Sequence, residues 1–134
     1  MIIVWVPVQT VSEANSRGHW SIRHRRVKKQ RRAAYYSCLD GGVNSSALSD
    51  TEMLIVTLVR VTKTHQRLDT DNLASSLKAV RDGVADALGI EDNSPRVEWR
   101  YDQRDGVGNA VEVEFTGGNI QGVLFRERLE SASP

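Results

Sequence analysis

Two aspartates stand on alternate residues in Arg67-Leu68-Asp69-Thr70-Asp71-Asn72, and a third, Asp92, follows beyond the next helical pattern. Carboxylates are hard oxygen donors that suit Mg²⁺, with Mn²⁺ as an alternative. The same chain carries Arg23-His24-Arg25-Arg26-Val27-Lys28-Lys29-Gln30-Arg31-Arg32. Phosphodiester hydrolysis needs this combination. A metal lowers the pKa of a bound water and neutralises the phosphate, while cations hold the nucleic-acid backbone. In an extended segment, side chains i and i+2 point the same way, so Asp69 and Asp71 are expected to converge on one ion.

Asp-x-Asp-Asn ahead of a helix is also a capping signal, with Asp71 or Asn72 as the cap. A calcium loop of the EF-hand type is excluded. Counted from Asp69, the sixth and twelfth positions are Ala74 and Val80, where Gly and Glu are required. Ser75, Lys78 and Asp82 share a helical face with Asp71. Lys78 lies about 10 Å along the axis from Asp71, and a long side chain could lean back toward a bound phosphate. An ordinary Lys78–Asp82 pair at i, i+4 is the plainer alternative. Asp92 lies beyond a helix about 24 Å long, so a loop that folds back, or a dimer mate, has to supply it.

Residues 17–32 hold eight Lys/Arg and no acid: Arg17, Arg23, Arg25, Arg26, Lys28, Lys29, Arg31 and Arg32. Like charges at this density repel, and nucleic-acid phosphates are the natural compensation. A solvated basic helix is the competing reading. Trp20, Tyr35 and Tyr36 flank the segment and could stack on unpaired bases, although core packing is the simpler role. His19, His24 and His65 lack zinc-site spacing; His19 or His24 could touch phosphate and His65 could line the acidic site. The net charge of +1 hides an asymmetry: residues 1–67 balance at +7 and residues 68–134 at −6. A basic contact surface joined to an acidic site would give this split.

The elements that must position these groups follow from periodicity. Residues 2–8 are apolar and β-branched, with Pro7 restricting the strand to an edge or an end. Residues 10–20 look like a loop. Residues 21–39 lack Gly and Pro and read as a helix with a weak stripe of Ile22, Val27, Ala33, Ala34, Tyr36 and Leu39, stopped by Asp40-Gly41-Gly42. Residues 53–61 form the most apolar run, a central strand. Leu73, Leu77, Val80, Val84 and Leu88 mark an amphipathic helix ended by Gly89. Residues 97–101 and 111–115 alternate with period two, and Asp105-Gly106 between them predicts a hairpin. The fold class is therefore α+β: a mixed sheet in the order β-α-β-α-β-β with helices packed on it. Residues 1–117 form one domain, and residues 118–134 form a loosely held C-terminal tail in which Val123-Leu124-Phe125 could dock on the core or on a partner.

At 134 residues the chain has the length of one domain. No apolar run approaches the roughly 20 residues that span a bilayer, so no membrane partner is expected. The first residues lack the basic start and cleavage site of a signal peptide. Cys38 is the only cysteine, which excludes an intrachain disulfide and points to a cytoplasmic setting.

Arg67-Leu68-Asp69-Thr70-Asp71-Asn72-Leu73, the Lys-x-x-x-Asp of the following helix, and Gly89-Ile90-Glu91-Asp92 together resemble the RusA-type Holliday junction resolvases. The likeness is strongest over residues 67–101. It implies a homodimer of mixed α/β fold, found in phages and prophages, that nicks branched DNA symmetrically with Mg²⁺ in recombination and repair. It also implies metal ligation by Asp69, Asp71 and Asp92. The family's lysine falls on Ser75 by spacing from Asp71, and on Lys78 by its Lys-x-x-x-Asp context; Arg67 or Lys63 could take the role instead. Arg23, Arg25, Arg26, Lys28, Lys29, Arg31, Arg32 and Arg67 are then the expected DNA contacts. Two rivals remain: a non-catalytic branched-DNA-binding protein, and a nuclease for flaps or single strands.

Overall fold

The computed structural model describes residues 1–11 and 20–132. The expected loop over 10–20, with Arg17 and His19, therefore falls largely outside the described residues. In chain order the elements are β1 (Ile2–Val6), α1 (Trp20–Asp40), a 3₁₀ turn (Ser45–Ala47), β2 (Leu54–Thr62), α2 (Thr70–Leu88), β3 (Val97–Asp105), β4 (Ala110–Gly117) and α3 (Ile120–Ala132). The α+β class with a mixed sheet is as expected, and a third helix, α3, is added at the end.

The four strands form one mixed sheet in the order β1-β4-β2-β3. β2 is central, antiparallel to β4 and parallel to β3. β1 is an edge strand, and Pro7 lies just past its end, as its missing N–H requires. The parallel pair needs a crossover, and α2 provides it. Nineteen helical residues span about 28 Å and nine strand residues about 30 Å, so α2 returns the chain to the start of β3.

The expected β3–β4 hairpin does not form. β2 lies between these strands, and residues 106–109 step over its end. Gly106 donates its N–H to the Thr62 carbonyl at 3.0 Å, and the Lys63 N–H reaches Asn109 Oδ1 at 3.3 Å. Period-two alternation says which face a residue occupies but not which strand it pairs with. Here the more apolar β2 takes the centre.

All three helices cover one face of the sheet around a single core. One lateral row reads Val4, Val113, Leu58 and Tyr101, and the next reads Ile2, Phe115, Val56 and Trp99. A third row, nearer the C-terminal end of β2, reads Val6, Val111, Arg60 and Gln103. From α2, Leu77, Val80, Val84 and Leu88 are fully buried and Leu73 nearly so.

The stripe expected on α1 is corrected. Its buried positions are Gln30, Ala34 and Cys38, whereas Ile22, Tyr36 and Trp20 are exposed. The reason is a close crossing with α2. A Cβ at Gly83 would overlap the Arg31 carbonyl oxygen and come within 2.8 Å of the Ala34 methyl. Only small side chains fit where two backbones approach this closely. Arg31 closes the crossing with a two-pronged ion pair to Asp86 on α2, at 2.7 and 2.9 Å.

Residues 118–134 are not a loose tail throughout. Ile120 and Val123 are buried in the core, and Asn119 ties α3 to the 3₁₀ turn by donating from Nδ2 to the Ser46 carbonyl. Phe125 stays exposed.

Candidate functional site

The loop from β2 to α2 carries the acidic pair, and three side chains from the sheet fix it. Gln103 brackets Leu68, accepting its N–H at 3.0 Å and donating to its carbonyl at 2.8 Å. Arg60 donates from Nη1 to the Gln66 carbonyl at 3.2 Å. His65, in the left-handed region at φ 58°, pairs with Asp105 at 2.8 Å. His65 thus joins the end of β3 rather than the aspartates.

Asp69 is the N-cap of α2. Its Oδ1 accepts the Asn72 N–H at 2.8 Å, and its Oδ2 accepts from Asn72 Nδ2 at 3.1 Å. The capping signal is thus read by Asp69, not by Asp71 or Asn72. The backbone turns helical at Thr70, so the extended i, i+2 geometry expected for Asp69 and Asp71 does not hold. Asp71 sits in the first helical turn with an exposed side chain.

Asp92 is brought back by the loop after α2. Gly89 caps the helix in the left-handed conformation at φ 71°, and the N–H of Ile90 returns to the Ala85 carbonyl at 3.1 Å. The chain then folds along α2 far enough for Asp92 to lie 3.5 Å from Lys78 Nζ and 3.7 Å from Arg81 Nε. The Asp92 carbonyl accepts from Arg81 Nη2 at 2.7 Å and from Trp99 Nε1 at 2.8 Å. Arg81 lies over the Trp99 ring at 4.8 Å and donates to the Tyr101 hydroxyl at 2.6 Å. Lys78 also contacts Asp82 at 3.3 Å, so it bridges two carboxylates.

Asp92 therefore returns by a folded-back loop within one chain, as one of the two expected routes required. It joins Lys78, Arg81 and Asp82. Among the described residues, no three His, Cys, Asp or Glu side chains gather closely enough to hold a metal ion. Asp69, Asp71 and Asp92 are thus not assembled around one point. Arg81, Trp99 and Tyr101, which position Asp92, were not singled out from the sequence for that role. Their only signal was that Trp99 and Tyr101 alternate onto the helix-covered face of β3.

The basic segment divides by face. Arg25, Lys28, Lys29 and Arg32 are exposed on the side of α1 away from α2, together with Tyr36. Arg31 is also exposed but is engaged by Asp86. The Arg31 hydrogen bond holds the Asp86 carboxyl below its ordinary range, and the Asp86 bond raises the Arg31 guanidinium. Arg23 lines a groove of about 250 Å³ between α1 and α2, facing Ser75, Lys78 and Asp82. Arg26 turns toward a separate cavity at the C-terminal end of β2. Arg67 is exposed and donates to the Gln103 carbonyl at 3.4 Å.

No helix among the described residues is long and apolar enough to cross a membrane. No family model matches this chain, and no solved structure matches it. A protein of Xylella fastidiosa (strain Temecula1 / ATCC 700964), described as uncharacterized, is 35% identical over 78 residues, covering 58% of this chain and 51% of that protein. The chain thus spans about half the length of the curated relative it matches.

Proposed function

We propose that this protein is a metal-dependent endodeoxyribonuclease of the RusA type that acts on branched DNA. The observation that carries the reading is the packing of α1 along α2. It sets a cationic helix beside the acid-bearing one, with Arg23, Ser75, Lys78 and Asp82 lining the groove between them. Arg23 and Lys78 thereby face the Asp82 carboxylate in one groove, while Arg25, Lys28, Lys29 and Arg32 line the far side of α1.

The donor set fits Mg²⁺ in its chemistry. Mg²⁺ keeps several waters and takes one or two protein carboxylates together with substrate phosphate. Asp69 and Asp71 would supply those carboxylates from the start of α2; Asp92, the third acid of the proposed set, lies apart from them beside Lys78. When bound, the metal supplies an acidified water and charge neutralisation at the phosphate. Lys78, held between Asp82 and Asp92, would meet a phosphate oxygen. Arg25, Lys28, Lys29 and Arg32 would hold the backbone, and exposed Trp20 and Tyr36 offer stacking surfaces beside them. A two-fold homodimer would present two such sites to a four-way junction.

One observation favours a second reading, a branched-DNA-binding protein without catalysis: both oxygens of Asp69 are used in capping α2. One experiment separates the two. The protein is incubated with labelled four-way junction, flap, single strand and linear duplex, with and without Mg²⁺ or Mn²⁺, beside an Asp71→Asn variant. Metal-dependent cleavage that Asp71→Asn abolishes supports the nuclease. Tight junction binding without cleavage supports the second reading. Four exposed cations on α1 predict a log–log salt slope of about −3 to −4 for binding.

A further inference from the structure

Arg60 carries a charged guanidinium into the core. It stands in the helix-covered face of the central strand, between Val111 and Gln103, and is only 8% exposed. Its hydrogen-bond partners are neutral: Nε donates to Thr10 Oγ1 and Nη1 to the Gln66 carbonyl, each at 3.2 Å. Burial pushes its pKa below the ordinary guanidinium value, with no carboxylate opposing the shift. A cation taken from water without a counter-charge is costly, and proteins retain such a group where it meets a partner.

The surroundings supply room for that partner. Arg60 opens into a cavity of about 440 Å³ beyond the C-terminal end of β2. Thr10, Thr62, Thr64 and Asn109 line it with neutral polar groups, Arg26 also lines it, and among the described residues no Asp or Glu does. Arginine's planar fork suits the oxygens of a phosphate. The location is also apt: β2, α2 and β3 form a parallel crossover unit, and such units bind ligands outside the carboxyl ends of their strands. Gln66 and Leu68 line the same cavity, so its wall is the loop that leads into Asp69.

We propose that this cavity binds a phosphate group, with the buried Arg60 guanidinium as its charge partner. Under the nuclease reading, on which only the source of the ligand rests, the group is a phosphodiester of a DNA strand entering beside the acidic loop. A free phosphate would use the same chemistry.

The test uses the full chain labelled with ¹⁵N. The Arg60 Nε–Hε resonance, assigned with an Arg60→Lys variant, is followed during titration with inorganic phosphate at constant ionic strength set by chloride. A second titration uses a short single-stranded oligodeoxynucleotide. A saturable shift of that resonance is expected, with affinity, read in both proteins from the backbone amides of Thr62 and Thr64, reduced about tenfold in Arg60→Lys, which keeps the charge and loses the fork. A shift with the oligonucleotide assigns a phosphodiester, and a shift with phosphate alone assigns the free anion. An Arg60 resonance unmoved in both titrations overturns the proposal, and this holds on the wild-type protein even if the variant fails to fold. Junction cleavage with an unmoved Arg60 leaves the nuclease reading standing without this site. A shifted Arg60 in a protein that cleaves nothing does the reverse.

Discussion

Asp69 caps α2, and the proposed nuclease reading gives it a second, metal-binding role; a pair of substitutions can separate the two. As N-cap it accepts the Asn72 N–H at 2.8 Å, and its second oxygen takes the Asn72 side-chain amide at 3.1 Å. Asn caps helices about as well as Asp, so Asp69→Asn keeps the main bond. It loses the charge at the helix N-terminus and the second bond, both in solvent. The expected cost is about 0.5 kcal/mol. Asp69→Ala loses cap and charge together, at about 1.5 kcal/mol. For a chain of this size these losses correspond to drops in melting temperature of about 2 °C and about 6 °C. Both are measured by thermal unfolding in EDTA, which removes any contribution from bound metal. Cleavage of a labelled junction in Mg²⁺ is then assayed well below either midpoint. The nuclease reading requires both variants to be inactive although the Asn variant is nearly as stable as wild type. Full activity in Asp69→Asn would refute the carboxylate's chemical role. Equal destabilisation by Asn and Ala would refute the capping argument.

Other outcomes follow from the packing. Gly83→Ala should destabilise by about 1–3 kcal/mol, because a Cβ meets the Arg31 backbone. An ordinary helix interior would gain about 1 kcal/mol from the same change, so a stabilised variant in urea unfolding would refute the close crossing. The Asp86 pKa is depressed by Arg31, so its contribution is present above the unfolded carboxylate value of about 3.9 and lost as pH falls through the folded value. Asp86→Asn should therefore cost a few tenths of a kcal/mol at pH 7, the pair being exposed, and nothing near pH 2; urea unfolding at the two pH values measures this. Burial pushes the Cys38 thiol up to about 12. It should resist alkylation at pH 8 in the native state and react at once in denaturant. Its contribution to stability is full below about pH 8.5 and lost as pH rises through the folded value.

What could be read from the chain depended on which physical signal each element carries. α2 was legible because Leu73, Leu77, Val80, Val84 and Leu88 pack on a sheet, where large apolar residues recur. α1 was legible as a helix but not in its facing. Its contact with α2 is a close backbone approach at Gly83, which selects Ala34 over larger residues. The hairpin was misread because strand partners are decided by the whole sheet. α3 was missed because two glycines precede it and, among its described side chains, Ile120 and Val123 are buried while Leu124 packs only partly on the core. At the candidate site, the types of residue were visible but their grouping was not. The return of Asp92 depends on Arg81 and Trp99 holding a backbone carbonyl, and no local pattern reports that.

The four-residue step over β2 has a consequence for how the chain acquires its shape. β1 pairs only with β4, more than a hundred residues later, and both edges of β2 are closed by strands that follow it. As the chain leaves the ribosome, nothing before residue 97 can form a strand pair with anything else. The helices α1 and α2 can pack first, through Ala34, Gly83 and the Arg31–Asp86 pair, while two apolar strands wait unpaired. Long-range pairing of this kind slows folding and leaves strand edges exposed to other chains in the interval. Truncation within β4 would remove the partner of β1 and one partner of β2 together, so the last third of the chain decides whether the first strand folds at all.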